Sequence, residues 1–148
     1  MKELKQLNFH KPEEGLIGDC FRTCIACLLD MGRADAVPHV VELAGWDNEN
    51  SLEAQLLLNK YLEQLDLRYV EYPLQCDEEA LQVYLNHYYK DMYVHVGCSS
   101  KHGGHSVIRK NKDYIWDPSK DNSGCVGPMA DGYYWIGLLV HHKKEIVE

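Results

Sequence analysis

The hydrophobic period of this chain changes near residue 90, and that change limits the folds open to it. Before it, apolar residues recur at helical spacing; after it, they alternate. The spacing predicts a helix over 20–31, on Ile25, Leu28 and Leu29, with Gly32 as its stop. A second helix is expected over 52–65, capped by Asn50 with Glu53 as capping-box partner. Leu57, Leu58, Tyr61, Leu62 and Leu65 fill one of its faces. Arg68–Tyr72 reads as a strand ended by Pro73, and Asp77 caps a third helix over 78–89. Beyond residue 91 the strand pattern takes over at 92–98. Segments 105–110 and 113–117 flank Asn111 and Lys112 as a hairpin. Residues 118–132, rich in Gly, Ser, Asn, Asp and Pro, read as a long loop before a last strand over 133–142. Helices first and an antiparallel sheet after is an α+β order, and 148 residues fit one domain, 1–148. A chain of this size buries roughly 70% of its unfolded surface, enough for a core without staples.

Charge narrows the partners. Fifteen basic against 23 acidic residues give a net charge of −8. That sign disfavours nucleic acid and anionic membrane as partners. Arg109, Lys110 and Lys112 read as a solvated hairpin tip. No run reaches the ~20 apolar residues of a membrane span, and the start Met1-Lys2-Glu3-Leu4-Lys5 lacks the apolar stretch of a secretion signal. The expectation is a cytoplasmic protein whose thiols stay reduced. Its six cysteines (Cys20, Cys24, Cys27, Cys76, Cys98, Cys125) are then thiols rather than a disulfide framework.

Gly18-Asp19-Cys20 stands where loop becomes helix. Unpaired N–H groups and partial positive charge at a helix start favour a thiolate there. A nucleophilic thiolate needs a base, and the base needs an orienting group. Gly103-Gly104-His105-Ser106-Val107-Ile108 offers the base, with the glycines leaving room beside the ring. Trp116-Asp117-Pro118 ends the paired strand, so a hairpin across Asn111-Lys112 brings Asp117 near His105. Asp117 can accept a ring N–H and fix the tautomer. Ser99, Gly103, Gly104 and Trp116 are candidates for the lining of a substrate cleft, and Asp19 lies next to the nucleophile.

These blocks resemble papain-like cysteine peptidases: Gly-Asp-Cys at a helix start, Gly-His-Ser-Val-Ile on a strand, then Asp-Pro. They look nearest to the peptidase domains that cut double-glycine leaders from bacteriocins. They are also similar to small uncharacterised bacterial and phage proteins with a Leu-Leu helix, a Val-Pro-His element (here Val37-Pro38-His39) and a Ser- and Gly-rich turn before the histidine (Ser99–Gly104). The likeness runs in blocks from Gly15 to Val126. It implies a helical half packed on an antiparallel sheet, with the site between them. It also implies roles for Cys20, His105 and Asp117 in cutting or transferring a peptide, isopeptide or small amide bond, without metal or organic cofactor. In such peptidases a glutamine six residues before the cysteine donates to the oxyanion. Here that position is Glu14, of the wrong charge for the task, and Gln6 on a different loop is the alternative donor.

Other readings of the same residues compete. Cys20, Cys24 and Cys27 spell C-x3-C-x2-C, the spacing of a radical iron–sulfur motif. A helical setting and a short chain disfavour a cluster, and Cys24 and Cys27 read as small core residues. One C-x2-C alone is a poor zinc site. His102 reads as a solvated turn residue, and His141, His142, Lys143 and Lys144 as a polar tail. Trp46, Trp116, Trp135 and most of the ten tyrosines read as core or core-edge residues. The rival to catalysis is a silent papain-like fold that binds a ligand, peptide or host protein in the same cleft. The oligomeric state is left open.

Overall fold

The computed structural model describes residues 1–45, 51–101, 103–121 and 124–142. It has an α+β architecture with four α-helices and a five-stranded antiparallel sheet. The helices are α1 (Cys20–Leu28), α2 (Val40–Ala44), α3 (Ser51–Glu63) and α4 (Glu78–Tyr88). The strands are β1 (Leu67–Leu74), β2 (Val94–Ser100), β3 (Gly103–Lys110), β4 (Tyr114–Trp116) and β5 (Tyr134–His141), in the order β1-β5-β2-β3-β4.

Helix α1 stops before Gly32. Asp30 takes the left-handed conformation (φ 56°), its N–H donates to the Cys27 carbonyl, and the Met31 N–H reaches back to Ala26. This is a Schellman ending with aspartate where glycine is usual. Asp77 caps α4 as expected, its Oδ1 accepting the Ala80 N–H at 2.8 Å. The proposed cap at Asn50 lies outside the described residues. In α3 the buried positions are Ala54, Leu58 and Leu62, spaced by one helical turn. Leu65 falls beyond the helix end and is exposed.

Pro73 does not end its strand. β1 runs through it to Leu74, because β1 is the sheet edge and its outer side asks for no N–H. The expected layout of a helical half on a sheet half is corrected in the same region. β1 joins β5 along its length, and helices cover both faces of the sheet. Phe21, Ile25 and Ala26 of α1 pack with Leu58 and Leu62 of α3 and Tyr69 of β1 on one side. Leu81 and Leu85 of α4 pack with Val94, Val96, Val107 and Ile136 on the other. The central strand β2 is therefore buried on both faces, from Val94 to Cys98, where alternation had been expected.

The β3–β4 hairpin forms across Asn111, which is left-handed (φ 55°), with Ile108 opposite Trp116 and Lys110 opposite Tyr114. Arg109 is not part of a solvated tip. It is 1% exposed and forms a two-pronged pair with Glu78, at 2.9 and 2.6 Å, tying β3 to the first turn of α4. Lys110 lies over the ring of Tyr93. Among the described residues no helix is long and apolar enough to cross a membrane.

Candidate active site

Cys20 is the first residue of α1 and is half-buried. Gly18 sits two residues before it for a steric reason. A Cβ there would meet His10 Cβ at 2.9 Å, and the Gly18 N–H donates to His10 Nδ1. Asp19 occupies the N-cap position but its side chain does not cap the helix. It is fully buried and faces the N-terminal segment instead. Its carboxylate accepts the N–H groups of Asn8 (2.9 Å) and Leu7 (3.3 Å) and the Arg22 guanidinium (3.0 Å).

That N-terminal segment is a strap between α1 and the end of β4. The Gln6 N–H donates to the Pro118 carbonyl, and the Lys5 ammonium donates to the carbonyls of Asp117 and Ser119. The Trp116 indole N–H donates to the Leu4 carbonyl, and the Leu4 N–H donates to Cys27 Sγ. Residues distant in sequence are thereby held side by side: the start of α1 and the segment carrying Asp117. Sequence reading placed no role on residues 4–8 apart from Gln6. A short irregular segment has no period to reveal it.

His105 and Asp117 meet. His105 Nε2 lies 2.6 Å from Asp117 Oδ1, and both side chains are largely buried. Asp117 Oδ1 also accepts the Ser119 N–H at 2.9 Å, and Oδ2 accepts the Gly124 N–H at 2.5 Å. Burial opposes the charge on Asp117. The bonds from His105 and Ser119 outweigh it and hold the carboxyl well below the usual carboxylate range. His105 is the mirror case. Burial would lower its pKa, but the bonds to Asp117 and to Cys20 raise it from 6.5 to about 9. Cys20 is thus among the groups that act on the ring, and with Nε2 on Asp117, Nδ1 is the nitrogen the carboxylate does not engage.

The other candidates separate. Lys11 and Leu16 pair across a tight turn, leaving Glu14 exposed, with its carboxylate 3.9 Å from Lys11 Nζ. Gln6 is buried, its Nε2 donates to the Asn8 carbonyl at 2.6 Å, and its Oε1 has no hydrogen-bond partner among the described residues. The Asn8 carbonyl in turn accepts the Asp19 N–H, so the Gln6 amide ends near the start of α1. Gly103 is exposed and adopts φ +106°, a conformation that asks for glycine. The room at Gly104 is taken by Met129, whose methyl would stand 3.2 Å from an added Cβ. Ser99 is bound through its backbone to Gly127 and Val126. Trp116 is half-buried and spends its N–H on the strap, under the Lys5 ammonium. Trp46 and His102 lie outside the described residues.

Cys24 and Cys27 are core residues with no exposure, as expected, and burial pushes both thiols up. Cys98 and Cys125 correct the expectation of free thiols: they form a disulfide, with Cα atoms 5.8 Å apart. The cause is topological. Cys98 ends the buried face of β2, and the loop after β4 returns across that strand end, pairing Gly127 with Ser99. Among the described residues no cluster of three His, Cys, Asp or Glu side chains could hold a metal ion.

Sequence reading also missed a buried polar chain behind the site. Gln55 donates to Glu71, the Tyr69 hydroxyl donates to Glu71 at 2.6 Å, and the same hydroxyl lies 3.0 Å from His95 Nδ1. His95 packs edge-on against Phe21, the neighbour of Cys20. Burial first, and the charge of His105 second, lower its pKa to about 3, so it is neutral at pH 7. Tyr69 needs a glycine at 137 against its ring, since a Cβ there would overlap the tyrosine ring. No family model, curated protein or solved structure matches this chain significantly.

Proposed function

We propose that the chain is a papain-like cysteine hydrolase or acyl transferase acting on a peptide, isopeptide or small amide bond. The observation that carries this reading is the 2.6 Å contact of His105 with Asp117, beside a half-buried thiol at the start of α1. In this reading His105 holds the proton of Cys20, so that sulfur attacks the carbonyl carbon as thiolate. The oxyanion is received by the Cys20 backbone N–H, with the Gln6 amide as the second donor in place of Glu14. The imidazolium gives its proton to the leaving amine as the carbon–nitrogen bond breaks, leaving a thioester on Cys20. Water, or a second nucleophile in the case of transfer, then attacks the thioester while His105 takes its proton, and the thiol is released. Asp117 keeps the ring in place and stabilises its charge.

The test is thiol labelling. Iodoacetamide should label Cys20 faster than the half-buried Cys76, whose thiol burial pushes up. His105→Ala should slow the Cys20 rate by about tenfold or more. Equal rates at Cys20 and Cys76 would remove the catalytic reading and leave a binding role for the cleft.

A further inference from the structure

Cys98 stands directly opposite His105 in the β2–β3 ladder, its sulfur 3.8 Å from the His105 carbonyl oxygen. Its disulfide partner Cys125 follows Gly124, whose N–H donates to Asp117 Oδ2. One covalent bond therefore joins the strand position facing the base to the segment that holds the orienting carboxylate. Among the described residues, two backbone hydrogen bonds also attach that segment to β2, Ser99 N–H to Gly127 and Val126 N–H to Ser99. The two cysteines differ in burial. Cys98 is fully buried, whereas Cys125 is half-buried.

We propose that the Cys98–Cys125 disulfide is a redox-sensitive positioning device that holds Asp117 against His105, so that a dithiol reductant turns the site down. The proposal rests on the reading of Cys20, His105 and Asp117 as the reactive group. A thiolate of the dithiol attacks Sγ of Cys125, the less buried residue, and Cys98 leaves as a thiolate and is protonated. The second thiol of the reductant then displaces Cys125, which takes up a proton. Two electrons and two protons pass to the protein, and the reductant ends as its own disulfide. The freed segment no longer fixes the Gly124 N–H on Asp117, and the ring loses part of its support. A displacement of this kind is worth as much as a hundredfold when it misplaces reacting groups.

The experiment compares the full chain as oxidised protein, after reduction with dithiothreitol and removal of the reagent, and as Cys125→Ser. It follows iodoacetamide labelling of Cys20 relative to Cys76 and the pH titration of the His105 ring by NMR. Reduction and Cys125→Ser should each slow Cys20 labelling by about tenfold. They should also move the His105 midpoint down from about 9 towards 6.5, which a purely structural staple would not do. Unchanged labelling and an unchanged midpoint in the reduced protein would overturn the proposal while leaving the catalytic reading intact. So would a chain whose Cys98 and Cys125 both label after denaturation of the oxidised protein. If Cys20 labels no faster than Cys76 in every form, the catalytic reading fails instead, and the His105 titration alone decides the positioning role. Should Cys125→Ser fail to fold, the reduced wild-type chain decides.

Discussion

His105 is subject to opposite influences, and their balance can be measured. Burial favours its neutral form, while Asp117 and Cys20 favour the charged form and prevail, giving a midpoint of about 9. Asp117→Asn removes the carboxylate whose hydrogen bond does most to raise it, so the NMR midpoint of His105 should fall by at least one unit, to about 8 or lower. The sign carries to stability. A histidine raised in the folded state contributes fully below its unfolded value of 6.5, and the contribution is lost as pH rises through about 9. Urea midpoints of the wild type should therefore decline between pH 6.5 and 9, and Asp117→Asn should flatten that decline. Cys20, His105 and Asp117 were legible as residues because each stands in a local signature: a glycine turn into a helix, a strand entry, and a strand end before proline. The exposure of Glu14 was not legible, because counting along the chain ignores the Lys11–Leu16 turn that carries it into solvent.

At the scale of elements, local rules were obeyed where the element is satisfied by its own neighbours. The Asp77 cap of α4 is such a case, and Asp77→Ala should cost about 1 kcal/mol in a denaturant titration, with the fold kept. The hairpin across Asn111 is another, because its pairing is closed within a dozen residues. Local rules failed where a neighbour supplied what the element lacked. Helix α1 ended at Leu28 rather than running on to Met31, because the left-handed Asp30 and the residue after it satisfied its last carbonyls first. Proline was tolerated in β1 because the edge position removes the demand for its N–H. Arg109 left the charged hairpin tip because Glu78, 31 residues away, was in place to receive it.

For the molecule as a whole, the candidate site depends on a segment that lies far from it in sequence. The strap of residues 4–8 ties the start of α1 to the segment around Asp117, and Asp19 anchors its α1 side. Asp19→Ala leaves two backbone N–H groups and the Arg22 guanidinium without their acceptor. It should lower stability by about 3 kcal/mol or more in urea unfolding. Faster amide exchange at Leu7 and Asn8 would locate the loss in the strap, and a change below 1 kcal/mol would show that the strap does not bear on the fold. The sequence alone determined the α+β order, the Asp77 cap, the hairpin and the pairing of His105 with Asp117, since each follows from period, capping or a short loop closure. Only the tertiary structure decided that helices cover both faces of the sheet, that Cys98 meets Cys125, that the Gln6 amide lies near the start of α1, and that His95 stands neutral behind Phe21. Those outcomes depend on contacts between distant segments. Such contacts are set by which surfaces are buried together, and no local pattern carries that information.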